Sequence, residues 1–267
     1  MKHGIYPIPV TKVSATGLLN AKIMEVPMTD SSRLQGRDAF LTALTQKLGR
    51  PTAAAPTAFY LPQQRQREVF QEYSLEQLKQ HFVDYSRQNL GAKVIETTFD
   101  TLPQVIEQDA LERFDEDSIS LLIGTDARFP NSGAFAALDS RIQVKEWQPE
   151  EIREQQIACA EQAQIGVVFA ECALVESGTI MLKSSKAQGR SISLLPTHSI
   201  FVIQQSDLLP RITQACERLH EQATQGHRLP SCVNFISGPS STADIELIKV
   251  VGVHGPISAT YVILTDQ

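Results

Sequence analysis

Three short segments in the second half of the chain combine residue types that packing alone does not call for. Val175-Glu176-Ser177-Gly178-Thr179 sets a carboxylate between two apolar runs. Such a group either meets solvent at a turn or is held in a cleft as a base, a nucleophile or an acceptor. Lys183-Ser184-Ser185-Lys186-Ala187-Gln188-Gly189-Arg190-Ser191 offers the planar fork of Arg190 beside donors from Ser185, Gln188 and the Gly189 backbone. That set suits a carboxylate or phosphate ligand, although an exposed hairpin loop would carry similar residues. Ser237-Gly238-Pro239-Ser240-Ser241-Thr242-Ala243-Asp244-Ile245-Glu246 follows a strand-like run and precedes a helix-like one. Gly238, Ser240, Ser241, Thr242 and Asp244 would then lie at a helix N-terminus on the carboxyl edge of a sheet, where anions bind. They could equally be caps with nothing bound, and the run lacks the Gly-Lys-Ser/Thr ending of a P-loop.

Two histidines fall in the same half, His198 after Leu-Leu-Pro-Thr and His254 in a Gly-His-Gly-Pro turn. With Glu176 or Asp244 they have the chemistry of metal ligands, but their spacing does not demand a metal, and hydrogen-bonded structural roles suffice. No metal site is therefore assigned. The sharpest expectation is that Arg190, Ser240–Thr242 and Glu176 converge on one pocket: Arg190 clamping an anion, backbone donors near Thr242 completing it, and Glu176 acting beside it.

Composition narrows the classes. A net charge of −6 with scattered basic residues argues against a general nucleic-acid binder. No apolar run approaches the ~20 residues that span a bilayer. Cys159, Cys172, Cys216 and Cys232 form no C-x-x-C pair and no cluster with His. They read as small core thiols in a reducing, cytoplasmic setting, with no iron–sulfur cluster in this chain.

Around these segments the pattern is α/β. Residues 1–27 lack an apolar stripe and read as a disordered tail or the product of an upstream start codon. Residues 28–72 form an N-terminal helical appendage and a Pro-, Ala- and Gln-rich arm: a helical stripe over 33–48 ends at Gly49, and the arm runs from Arg50 to Glu72. Residues 73–267 form the main domain. Ser74 opens a helix with Gln77 at the capping-box position. Strands are expected over 92–97, 118–124 and 165–170, with helices over 102–114 and 148–163, the latter having Pro149 in its first turn. Near-continuous apolar strands between helices indicate a mainly parallel sheet flanked by helices. The runs ALVES, TIMLK, SISLL and SIFVI follow one another too closely for crossover helices, so they are expected to form an antiparallel β insertion. A helix over 208–223, a strand over 232–237, a short helix from Thr242 and a strand over 260–264 complete the pattern.

Val175–His198 (VESGTIMLKSSKAQGRSISLLPTH), Ile236–Glu246 (ISGPSSTADIE) and Gly252–Pro256 (GVHGP) together resemble the LUD domain of the lactate-utilisation protein C family, also written LutC/YkgG. The stretch from Arg37 to Pro51 is similar to the start of that family. Ser177 stands where relatives commonly carry Thr, and Ala187 where they carry Gly. The resemblance implies the fold shared by ribose-5-phosphate isomerase, glucosamine-6-phosphate deaminase and CoA transferases (NagB/RpiA/CoA-transferase-like). It also implies a cluster-free subunit of a three-protein system oxidising L-lactate to pyruvate, with iron–sulfur proteins as partners and a small-anion site or docking surface of its own. No flavin or nicotinamide fingerprint is present, so the cofactor stays unknown. Two alternatives remain open. One is a stand-alone CoA-transferase-like enzyme or acyl-CoA hydrolase using Glu176, which resembles the Glu-Asn-Gly nucleophile of class I CoA transferases. The other is a non-catalytic regulatory module.

Overall fold

The computed structural model describes residues 36–50, 65–129, 132–135, 137–244 and 247–265. The expected tail over 1–27 and most of the expected arm, residues 51–64, lie outside them. The chain divides into two units, 1–60 and 61–267. In the first, α1 (Arg37–Lys47) ends before Gly49 as its stripe predicts, and none of its residues is buried.

The second unit starts with the short helix α2 (Arg65–Glu68), in a stretch expected to be extended. The helix α3 (Leu75–Tyr85) has the anticipated capping box: Ser74 caps Gln77, and the Gln77 side chain caps Ser74 in return. There follow β1 (Lys93–Thr97), α4 (Leu102–Arg113), β2 (Ile119–Ile123), β3 (Ile142–Glu146), α5 (Arg153–Gln162) and β4 (Ile165–Phe169). The chain continues through β5 (Cys172–Leu174), β6 (Thr179–Lys183), α6 (Ser191–Leu194), β7 (His198–Gln204), β8 (Leu208–Leu209) and α7 (Ile212–Thr224). It closes with β9 (Val233–Ser237), β10 (Ser241–Thr242), β11 (Val250–Val251) and β12 (Ser258–Leu264).

Six strands form a parallel sheet in the order β1-β12-β7-β4-β2-β3. Its central strands are apolar on both faces. Val168, Phe201, Tyr261 and Ile263 pack into one core with α3, α5 and the inner face of the second sheet. Val167, Phe169, Ile200 and Val262 pack into the other with α4. This double burial is why the runs show no alternation. The second sheet, β8-β5-β6-β9, pairs β6 antiparallel to both β5 and β9, as expected of an insertion. Cys172, Leu174, Met181 and Leu209 on it meet Ala215 of α7.

Four local expectations are corrected. The run SIFVI is β7, a central parallel strand, because the β5–β6 hairpin and the loop after it together supply the crossover from β4. SISLL is the one-turn helix α6, since four alternating residues before Pro196 fit either period. The helix at 148–163 begins only at Arg153. Before it, Trp147 extends the β3 edge by donating its backbone N–H to Ile123, and the chain then turns. Thr242 belongs to the two-residue strand β10 paired with β11, not to a helix. The edge strand β3 was not foreseen: only its first residue is buried, and its polar outer face hides the period. Among the described residues no helix is long and apolar enough to cross a membrane.

Candidate functional site

In the parallel sheet, β2 connects outward to β3 while β4 connects the opposite way to β7, so the strand order reverses between β2 and β4. Ligands of open α/β sheets bind beyond the carboxyl ends of the strands at such a point. The loop from Ser184 to Arg190 lies on this edge. The Gln188 side chain is buried and behaves as one more strand residue: its Oε1 accepts from Phe169 N at 2.8 Å, and its Nε2 donates to Phe169 O at 3.0 Å. Ser185 closes the turn, its Oγ accepting from Gln188 N at 3.0 Å. Thr125 N donates to Ala187 O. Gly189 is required by contact, since a Cβ there would stand 2.3 Å from the Trp147 ring, whose Nε1 donates to Lys186 O. These residues seat the loop on the sheet and leave Arg190 exposed over a dent of about 10 Å³ beside Ser184, Ser193 and Asn234. That space holds no more than one water.

Glu176 lies at the other end of β6. Its carboxylate accepts from Arg211 Nε at 2.5 Å, with 41% of the side chain exposed. A carboxylate engaged by a guanidinium is a weaker nucleophile than a free one. Beside it the hydroxyls of Ser177, Thr179 and Ser237 form a chain with links of 2.7 Å. Gly178 adopts φ 58° in the turn, a left-handed conformation that favours glycine. The buried Tyr261 hydroxyl donates to Gly178 O at 3.1 Å and accepts from Gly238 N at 2.7 Å; burial raises its ionisation well above the ordinary tyrosine value.

The structure thus brings together the Glu176–Thr179 turn and the Ser237–Gly238 turn. It also brings Ser240 to the Gly255–Pro256 turn, with Ser240 N donating to Pro256 O at 2.9 Å. Glu176 and Arg190 lie towards opposite ends of β6, Glu176 before Thr179 and Arg190 beside Lys183, and the strand itself spans roughly 13 Å. Ser241 is exposed in β10, and the exposed Asp244 donates its N–H to Thr242 Oγ1 at 3.2 Å. His254 is exposed.

His198 is wholly buried. Its Nε2 lies 2.9 Å from Asp109 Oδ2 on α4 and its Nδ1 2.8 Å from Ser258 Oγ on β12. Lys93 Nζ on β1 approaches Asp109 Oδ1 at 3.0 Å. Burial keeps the imidazole neutral below its ordinary value, against the pull of Asp109. Burial opposes ionisation of Asp109 as well, but His198 and Lys93 outweigh it and bring its pKa down to about 2. This network ties α4 to three parallel strands.

Sequence reasoning missed a charged cleft of about 210 Å³ lined by Arg128, Glu171, Asp207, Arg218, Glu221, Gln222 and Gln225. Arg128 follows β2, Glu171 follows β4 and Asp207 follows β7, all at carboxyl ends. Asp126 accepts from Arg128 Nε at 3.0 Å and Nη2 at 2.8 Å; Nη1 reaches Ala170 O at 2.9 Å, and the guanidinium carbon sits 4.8 Å from the centre of the Phe169 ring. Lys183 pairs with Glu171 at 2.6 Å and donates to Gln222, while Arg218 pairs with Asp207 at 2.8 Å. Burial opposes the charges of Asp126 and Arg128, yet their hydrogen bonds outweigh it, so the acid lies below and the base above its ordinary range. The available signal was charge placed directly after apolar parallel strands.

A parallel sheet with a polar cleft at its strand reversal, together with an antiparallel insertion, defines an α/β fold. The LUD domain profile matches residues 65–264, and the chain belongs to the LUD domain family. It is 42% identical over 236 residues to the lactate utilization protein C of Halalkalibacterium halodurans, covering 88% of this chain and 100% of that protein. It is 39% identical over 234 residues to the uncharacterized protein YkgG of Escherichia coli K12, covering 87% and 100%. It is 36% identical over 244 residues to the lactate utilization protein C of Bacillus subtilis 168, covering 88% and 98%. The fold is similar to the 1.70 Å crystal structure of a DUF162 family protein from Deinococcus radiodurans, with a TM-score of 0.51 and 19% identity over 72% of this chain and 98% of that one.

Proposed function

We propose that this chain is the cluster-free component of a three-protein system that oxidises L-lactate to pyruvate beside iron–sulfur proteins, to which it contributes a small-anion site or a docking surface. The observation that carries this reading is the 36–42% identity, over 88% of the chain, to proteins named lactate utilization protein C. Placement of the cysteines supports it: Cys159 is on α5, Cys172 on β5, Cys216 on α7, and Cys232 precedes β9. Burial pushes the Cys172 thiol up to about 12, which disfavours the thiolate a cluster needs. In the reaction the C–H and O–H bonds at the hydroxyl carbon break and a carbonyl forms. Both electrons leave through the partners' clusters, and both protons reach water.

A tagged chain expressed in its host is expected to co-purify with two cysteine-rich, iron-containing proteins. Deleting its gene is expected to abolish growth on L-lactate and spare growth on pyruvate. Undiminished growth on L-lactate without the chain overturns the reading.

A further inference from the structure

We infer that the Arg128–Arg218 cleft is a binding site for a small 2-hydroxy carboxylate. The inference rests on the proposed role for its choice of L-lactate as the leading ligand, while the site follows from geometry. Three independent features meet there. The cleft stands beyond the carboxyl ends of β2, β4 and β7, with the reversal of strand order between β2 and β4 at its floor. Its volume of about 210 Å³ admits a three-carbon acid and is small for a nucleotide or a CoA thioester. Its lining is charged and held in place, with Arg128 fixed by Asp126, by Ala170 O and by the face of Phe169.

The donors and acceptors specify the ligand further. A guanidinium carries five N–H donors. Arg128 spends three of them on Asp126 and Ala170, and Arg218 spends one on Asp207, among the described residues. The remaining donors suit the two oxygens of a carboxylate, which guanidinium groups bind in a planar fork. Both cations of the lining already have a carboxylate partner, Asp126 for Arg128 and Asp207 for Arg218; Glu171 is paired with Lys183 behind the lining, and Glu221 adds an exposed acid. These groups sum to one negative charge, so any anion must draw on the unspent guanidinium donors, and phosphate, with its second charge, meets more repulsion than a monoanion. A monoanion with an adjacent hydroxyl meets both halves of the lining, its carboxylate accepting from Arg128 and Arg218 and its hydroxyl donating to Glu171 or Asp207. A 2-oxo acid has no proton to give those carboxylates and leaves the second half unmatched. A site built to accept from a hydroxyl discriminates against an analogue that lacks it.

The test is calorimetric titration of the full-length protein with L-lactate, glycolate, pyruvate and inorganic phosphate. L-lactate and glycolate are expected to bind with one site, pyruvate at least about fivefold more weakly, and phosphate more weakly still. Arg218→Gln, on the surface of α7, is expected to weaken L-lactate about tenfold through loss of a charged hydrogen bond. Arg128→Lys keeps the charge but loses the fork, and is expected to act similarly. Thermal unfolding followed at Trp147 checks that both variants fold. Absence of L-lactate binding to the wild type, or unchanged binding in a folded Arg218→Gln protein, overturns the inference. So does a loss that follows Arg190→Gln instead, which would return the site to the Ser185–Arg190 loop. Equal affinity for pyruvate overturns the hydroxyl-accepting role of Glu171 and Asp207. Failure here with intact lactate-dependent growth leaves the pathway role standing, whereas tight L-lactate binding by a chain dispensable for that growth removes the role and keeps the site.

Discussion

Replacing Asp109 by Asn tests whether the His198 network holds the sheet to α4. Asp109 is 1% exposed and His198 fully buried, so water cannot replace what the substitution removes. The carboxyl is held at about 2 in the fold against 3.8 for the ordinary group, net of the burial that opposes its charge. At about 1.4 kcal/mol for each tenfold change in proton affinity, that difference is on the order of 2 kcal/mol of stability at neutral pH. The sign follows from the depressed value. The contribution is complete above pH 3.8 and fades as pH falls towards 2, and at pH 3 about 1 kcal/mol of it is gone. His198 acts in the same direction: its folded value lies below 6.5, so below that pH the unfolded chain takes up a proton that the folded one refuses. The assay is urea unfolding of wild type and Asp109→Asn from pH 7 to pH 3, followed by the fluorescence of the single tryptophan, Trp147. The gap between the two proteins is expected to be about 2–4 kcal/mol at pH 7 and to change as pH falls through the coupled titration of His198 and Asp109. A gap below about 1 kcal/mol at pH 7, or one that ignores pH, would show that the His198 network does not hold α4 to the sheet.

Tyr261→Phe removes the hydroxyl that joins Gly178 O to Gly238 N, and is expected to cost about 1–3 kcal/mol in urea unfolding; a neutral result would show that water reaches these turns. Gln188→Leu leaves Phe169 N and O unpaired at the strand end and is expected to cost about 2–4 kcal/mol, while Gln188→Glu should fare little better because it can only accept. Gly189→Ala drives a methyl into the Trp147 ring, and the expected outcome is a shifted emission maximum with lowered stability; an unchanged spectrum contradicts the packing.

Elements with strong local signals were legible in the sequence. The Ser74–Gln77 capping box and the doubly buried runs at β2 and β4 are written in adjacent residues. Strand direction was not. The run at β7 looks the same in either direction, and only its pairing between β4 and β12 decides that it is parallel. The motif wording identified the family, yet several of its residues serve the scaffold: Gln188 completes a strand edge, Gly189 admits Trp147, and Gly238 is held by Tyr261. The cleft was illegible for a different reason. Arg128, Glu171, Asp207 and Arg218 come from four separated segments, and each resembles ordinary surface charge until the strand order makes them neighbours.

In the proposed role, this chain takes part in lactate oxidation without carrying the electrons itself. Reconstitution tests it most directly: purified cluster-bearing partners are mixed with and without this chain, and L-lactate-dependent reduction of an artificial electron acceptor is followed. Pyruvate is expected only from the complete mixture, and none from this chain with lactate and acceptor alone. Full activity from the partners without this chain, or turnover by this chain on its own, would rule the proposed role out.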